Sequence, residues 1–317
     1  MPKIDKRIII VVVAIALALI GLSLSNQRTI ILQLLSQSLL VGGLFALAAS
    51  GLSLIFGVMK VINLAHGDVM IFGSYVSLGL LTLIGLNPFL SLAVVIPLFL
   101  GIGYVLQRSL IEPSMKTGDI GFPMLITFSL SYVIESGLAI FFTSDTQALR
   151  NPFSTAAYLV SGIRIPVLGL WIFVVAVLSV ILLRTFLAKS FIGMAIRAVA
   201  QDREGAVIAG IPVAKVNAIA FGIGTLLAGV GGTLLGTAFT FNPYAGLNYT
   251  LGAFVAIVLG GIGSIEGALV GGVILGISQT FLAYYGLGGW TQPIVYLIFI
   301  VVIIVRPTGL LAKVRVF

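Results

Sequence analysis

Among its 317 residues the sequence has no cysteine, a single histidine (His66), two tryptophans and only 8 % charged residues. Without cysteine there are no disulfides and no thiolate chemistry, and the redox compartment leaves no mark on the chain. One histidine cannot build the usual multi-histidine metal site, so no resident metal is expected. No G-x-x-x-x-G-K-[ST] phosphate loop occurs, so any ATP hydrolysis must belong to another chain, and no cofactor is expected on this one. The scarcity of charge decides the class. Soluble proteins carry about 25 % charged and 45–50 % apolar residues; here 60 % are hydrophobic, which excludes a water-soluble globular fold, disorder and collagen alike.

What is present is apolar length. Mean hydropathy is +1.24 and there are 38 glycines, with repeated apolar stretches near the ~20 residues that cross a bilayer. We read an all-α polytopic membrane protein with about 8 to 10 transmembrane helices, some broken or re-entrant at glycine-rich segments. The whole of 1–317 forms one transmembrane domain. Candidate spans run from Ile8 to Leu24, Ile30 to Phe56, Val69 to Leu86, Phe89 to Gln107, Phe122 to Thr143, Pro166 to Leu183 and Val216 to Thr240. Tyr249 to Tyr285 would be about 55 Å long as one helix, against a hydrocarbon core of about 30 Å. It must therefore break, and Gly260 to Ser264 is the place. A last, short span covers Trp290 to Val305.

The excess of 17 Lys and Arg over 9 Asp and Glu suits a membrane chain better than a nucleic-acid binder, since no basic run is interleaved with aromatics. With both termini in the cytoplasm, 14 of the 17 basic residues fall inside, leaving Arg28, Arg150 and Arg164 outside. That asymmetry is the positive-inside pattern and sets the orientation in the inner membrane. The basic start and apolar stretch at Ile8 to Leu24 could also suit a cleaved signal peptide, but no A-x-A-like site follows, and an uncleaved helix is expected.

Polar groups at membrane depth are costly and often line pathways. Gly57, Asn63, His66, Gly67 and Asp68 interrupt an otherwise apolar stretch. Asn63 and His66 can share a helical face, Gly67 permits a break, and Asp68 could cap the next helix. One reading is a surface loop with an N-cap; the other is a broken helix facing a translocation path. Gly260, Gly261, Gly263 and Ser264, followed by Glu266, form a second interruption in the other half, and paired interruptions point to transport sites. Gln37, Gln107, Glu135 and Gln279 read as helix-packing or interfacial residues, and glycines 42, 43, 229, 231, 232, 271 and 272 as close helix packing.

Arg184 to Lys215 is different in character. Apolar residues at helical spacing lie among five basic ones, with Ser190 placed to cap one helix and Asp202 a second that Gly210 and Pro212 end. It is an amphipathic docking element or, alternatively, a helix lying on lipid headgroups.

Three stretches carry a family resemblance: Asn63-Leu-Ala-His-Gly-Asp-Val-Met-Ile-Phe-Gly-Ser-Tyr75; Met194-Ala-Ile-Arg-Ala-Val-Ala-Gln-Asp-Arg-Glu-Gly-Ala206 with Gly210-Ile-Pro212; and Gly260-Gly-Ile-Gly-Ser-Ile-Glu-Gly-Ala-Leu-Val-Gly-Gly272. In this order and at this length the chain resembles the permease subunits of branched-chain amino acid ABC importers, of the LivH type. The resemblance implies the ABC importer permease fold. It also implies an extracytoplasmic solute-binding protein, a second permease of LivM type and two ATP-binding subunits of LivG/LivF type that use ATP and Mg. The cytoplasmic stretch about 184–215 is then the element that seats in an ATPase subunit, through Arg197, Asp202, Arg203, Glu204, Ala206 and Gly210. Glu204-Gly-Ala-Val-Ile-Ala-Gly210 looks like the importers' Glu-Ala-Ala pattern, with Gly205 replacing an Ala and the later Ile-x-Leu-Pro part absent. Substrate-pathway candidates are Asn63, His66, Gly67, Asp68, Gly260, Gly261, Gly263 and Ser264. Urea and short-amide importers have similar permeases, often with longer N-terminal regions. Rival classes are an ion-coupled secondary transporter using Asp68, Glu135 or His66, and an intramembrane enzyme using Ser264 and His66.

Overall fold

The computed structural model describes residues 28–305, apart from 120, 150–152, 154–155 and 161. The expected span from Ile8 to Leu24, Arg150 and the basic C-terminal residues lie outside the described residues. The order is α1 (Arg28–Met59), α2 (His66–Ile84), α3 (Pro88–Leu106), a π-helical turn (Gln107–Ile111), α4 (Glu112–Met115), α5 (Gly121–Phe142), β1 (Ala157–Val160), β2 (Ile163–Pro166), α6 (Val167–Lys189), α7 (Phe191–Gln201), α8 (Arg203–Ile208), α9 (Val213–Ala238), α10 (Gly246–Gly260), α11 (Ile265–Tyr284) and α12 (Thr291–Val305). Eight segments among the described residues are long and apolar enough to cross a membrane. α12, at 15 residues, is about 23 Å long at 1.5 Å per residue.

Two helices make the centre. In α1 78 % and in α9 83 % of the apolar stretch is buried, against 22 % in the α3 segment and 17 % in α5; the α3 segment presents Leu90 and Val105 outward, and α5 Leu125, Val133 and Ile140. The central packing depends on residues without side chains. A methyl group on Gly276 of α11 would sit 2.3 Å from the Gly42 nitrogen of α1, and one on Gly232 of α9 would collide with the Met70 carbonyl of α2. With no hydrophobic force between helices in lipid, such close backbone approach supplies the van der Waals contact that holds them. The glycines read as packing residues have that role.

Spans end where local chemistry stops them. α3 starts at Pro88, with Asn87 Oδ1 accepting from Phe89 N at 2.9 Å, a cap followed by proline at the first helical position. Its expected end at Gln107 is overrun: the helix continues through the π turn to Met115 because Gln107 and Glu112 are buried and bonded to each other instead of meeting water. Likewise α6 runs past Leu183 to Lys189. Between α5 and α6 the antiparallel hairpin β1–β2 pairs Tyr158 with Ile165 and turns at Gly162, φ 83°, a small non-helical element absent from the sequence reading.

Arg28 begins α1 beside Arg164 of β2, whose backbone is bonded by Gln33. Lys60, Arg184, Lys189 and Lys215 stand at the opposite helix ends. The basic residues among those described therefore separate between a hairpin face and an α7–α8 face, as the charge pattern requires.

Candidate functional site

The first interruption is a broken helix inside the bundle. α1 ends at Met59; Lys60 follows in left-handed backbone, φ 57°, with its Nζ donating to Gly57 O at 3.0 Å and burial pulling its amine below the usual lysine value. The chain then runs unwound for five residues and re-enters helix at His66. His66 Nε2 lies 2.9 Å from Ala48 O. Ala48 is eleven residues before the end of α1, about 16 Å up its axis, so α2 begins at mid-bundle depth. The surface-loop reading is thereby overturned, since Asn63, His66 and Asp68 are all buried.

Backbone at that depth has no water to bond, so something must replace it. Two hydroxyls do. Thr127 of α5 accepts from Leu64 N at 3.2 Å and reaches Ile62 O at 3.2 Å. Thr250 of α10 accepts from Gly67 N at 2.7 Å and donates to Leu64 O at 3.1 Å. Asn63 Oδ1 accepts from Ala65 N at 3.2 Å. Neither threonine stood out in the sequence, because an isolated threonine in an apolar helix normally bonds its own preceding turn.

Asp68 does not cap α2; Ala65 holds that position. Its Oδ2 instead accepts from Ser131 Oγ of α5 at 2.5 Å, while Gly246 packs so closely on it that a methyl group there would strike Oδ1. A carboxylate in the first turn faces the positive end of the helix dipole, which suits it to this depth. Because the Ala48 carbonyl can only accept, His66 Nε2 carries the proton, and Nδ1 is buried without a described partner.

The second interruption lies elsewhere. Gly261 and Gly263 take φ of 105° and 80°, and Ser264 Oγ caps α11 by accepting from Gly267 N at 3.0 Å. Gly260 and Gly267 touch backbone to backbone. Glu266 pairs with Arg184 at 3.0 Å, both more than half exposed. Thr250 marks the first break on α10 and Gly260 lies ten residues further, about 15 Å along the axis. The two interruptions therefore do not form one pocket. Nor do His66 and Ser264 form a nucleophile–base pair, each being engaged elsewhere.

On the opposite side of the break, towards the hairpin face, a cavity of 690 Å³ opens between α1, α10, α11 and α12. Gln37 and Gln279, expected as packing residues, line it. Gln107 does pack: its Nε2 donates to Glu112 Oε2 at 2.7 Å, with Asn217 Nδ2 at 3.4 Å from the same oxygen. Glu112 does not stand out in the sequence because a polar residue between Arg108 and Lys116 reads as a loop, and Asn217 because it follows Lys215 at the start of a span.

The docking element folds as its caps require. Ser190 Oγ accepts from Gly193 N at 2.9 Å and starts α7; Asp202 Oδ1 accepts from Gly205 N at 3.0 Å and starts α8, which Gly210 closes at φ 78°. Gly193, Ile196, Val199 and Ala206 face the bundle. Arg197 Nη2 reaches Ala188 O at 3.4 Å, while Arg203 and Glu204 are exposed. Phe191 is 82 % and Ile208 88 % exposed. The ordered element occupies 191–208; Arg184 to Lys189 belong to α6 and Lys215 to α9.

A bundle of apolar helices with one helix broken at mid-depth and a capped amphipathic pair at one end has the architecture of a multi-pass membrane protein. The chain belongs to the family described as branched-chain amino acid transport system / permease component, whose model matches residues 34–305. It is 32 % identical over 295 residues to the high-affinity branched-chain amino acid transport system permease protein BraD of Pseudomonas aeruginosa, covering 89 % of this chain and 96 % of that protein. It is 30 % identical over 307 residues to the permease LivH of Escherichia coli strain K12, covering 92 % and 98 %. A more remote relative is the ribose import permease RbsC of Bacillus subtilis, 30 % identical over 141 residues, or 42 % of each chain. No solved structure matches the chain.

Proposed function

We propose that this chain translocates branched-chain or related neutral amino acids across the inner membrane as the permease subunit of an ATP-driven importer, with the α7–α8 face in the cytoplasm. The observation that carries this is the outward apolar surface of α7 and α8. Phe191 and Ile208 project beyond the spans while Ile196 and Ala206 anchor the same helices to the bundle. Burying each exposed side chain is worth about 1.5–3 kcal/mol, so the surface favours a protein partner over water.

The partners in this reading are two ATP-binding subunits of LivG/LivF type, one seated on Arg197, Asp202, Arg203, Glu204 and Gly210 but not on Ala206, which was expected there and is instead buried against the bundle, a second permease of LivM type, and an extracytoplasmic solute-binding protein. ATP and Mg are used in the ATPase subunits; this chain binds no cofactor. Closure of the motor pushes α7, and through the packing of Ile196 on the bundle the push reaches the spans. The unwound segment Val61 to Ala65, with the first turn of the helix that follows it, is the place to yield, because its backbone is held by two side-chain hydroxyls instead of a continuous helix ladder. The path then alternates between the two faces. The branched-chain substrate class rests on the relatives' names.

The test is reconstitution in liposomes with and without the ATPase and companion permease subunits, following uptake of labelled leucine delivered by the binding protein. Uptake that needs ATP and the partners supports the reading. Leucine uptake by the chain alone on an ion gradient overturns it.

A further inference from the structure

We infer that the cavity between α1, α10, α11 and α12 is the outward solute pocket of the permease, built for a zwitterion with an aliphatic side chain. This rests on the proposed function and deepens it. The volume, 690 Å³, falls within the ~300–1,000 Å³ of small-molecule sites. Its position is set by the hairpin face: Pro166 closes β2 at the rim, and the turns before α10 and α12 form the rest of the mouth.

The lining chemistry is selective. Among the described residues none that lines it is charged, yet three glutamines on three different helices, Gln37, Gln279 and Gln292, line it. Gln292 Oε1 is buried without a partner, and the Gln37 and Gln279 side chains hydrogen-bond no described residue. A buried carboxamide oxygen without a partner, as at Gln292, is costly unless a ligand completes it, while the exposed Gln37 and half-buried Gln279 present their carboxamides to the open cavity. A carboxamide both donates and accepts, so it can meet a carboxylate with its NH2 and an ammonium with its oxygen. A net-neutral zwitterion leaves no uncompensated charge in such a site, whereas a simple anion or cation would. Leu34, Val41 and Leu44 of α1 supply an apolar wall for the side chain.

The floor explains how the pocket is shut. Phe45 and Tyr249 meet with ring centroids 6.2 Å apart, and Gly252 lets the Phe45 ring lie against α10, since a methyl there would strike it. Directly beneath, Thr250 holds Gly67, and Ala48, one turn from Phe45, receives His66. The aromatic pair and the unwound segment thus form one stopper under the cavity.

With no cysteine of its own, this chain adds no background thiol, and the treated parent transporter accounts for any thiol in the partners. Gln279→Cys and, one turn nearer the mouth, Ala283→Cys are placed singly in the complete transporter in proteoliposomes. Each is treated from the hairpin side with a membrane-impermeant thiol reagent and compared with the same variant untreated. Val133→Cys, at 68 % exposure on the outer face of mid-α5, serves as the control outside the cavity. We expect modification at 283, and at 279 where uptake survives the substitution, to cut leucine uptake at least tenfold, and leucine-loaded binding protein to slow labelling severalfold. Thiols that stay unreactive, or react without slowing uptake, overturn the inference, because the cavity is then filled by protein or lies off the path. If the unaltered transporter carries another neutral amino acid but not leucine, and labelling blocks that uptake, the branched-chain assignment fails and the pocket stands.

Discussion

Thr250 Oγ1 accepts from the Gly67 backbone N–H at 2.7 Å and returns a hydrogen bond to the Leu64 carbonyl at 3.1 Å, so one hydroxyl satisfies two backbone groups more than 180 residues away in sequence. Replacing it with the isosteric valine strands both groups at a depth where water cannot reach them. A buried unsatisfied group costs about 1–3 kcal/mol. Thr250→Val is expected to lower the thermal midpoint in detergent by several degrees, while Thr250→Ser stays near the parent. Equal midpoints for Val and Ser would remove the hydroxyl from the account.

Gly67→Ala tests the same contact sterically. The added carbon would meet Gly246 O at 1.9 Å and Thr250 N at 2.6 Å, both backbone atoms that cannot rotate away. Overpacking of this kind costs typically ~1–3 kcal/mol and more where backbone must shift. Greatly reduced yield of monodisperse protein is expected, whereas Gly137→Ala, whose methyl would meet nothing within 4 Å, leaves yield unchanged.

Asp68 and Ser131 form a buried charge-assisted hydrogen bond between α2 and α5. Such bonds contribute about 1.5–3 kcal/mol. A double-mutant cycle with Asp68→Asn and Ser131→Ala, read as thermal or denaturant stability, should give a coupling energy of that order. Strictly additive effects would show that the two helices are not tied through this pair.

The exposed apolar tip of the docking element makes a different prediction. Ile208→Asp changes a side chain that is 88 % exposed, so folding should be untouched. Binding-protein stimulation of the assembled ATPase is expected to fall at least tenfold, because the introduced charge must be desolvated in the interface. Normal stimulation would place the docking surface elsewhere.

By contrast, Arg184→Ala should be nearly silent in stability. Its partner Glu266 is 3.0 Å away, but both side chains are more than half exposed, and such pairs contribute about 0–1 kcal/mol. A loss well above that, measured in detergent, would mean the pair is shielded in the assembled protein.

The sequence by itself determined the solvent and the elements. Apolar length located the spans among the described residues, though two of them run on to Met115 and Lys189, six to eight residues past their expected ends; basic residues marked which ends share a face, and Ser190, Asp202 and Gly210 named the caps of the docking element because capping is decided within three or four neighbouring residues. It also marked the stretch from Asn63 to Asp68 as an interruption, but left a surface loop and a broken helix equally open. What only the tertiary structure decided is where that interruption sits and what holds it. Depth depends on how far the chain doubles back along α1, which local pattern does not record. Thr127 and Thr250 look like any hydroxyl in an apolar helix until the fold brings α5 and α10 against the unwound backbone. For the same reason Gln37 and Gln279 passed as packing residues: whether a lone carboxamide meets a helix or a cavity is set by which faces of α1 and α11 remain uncovered once the glycine contacts between them have fixed the angle of approach.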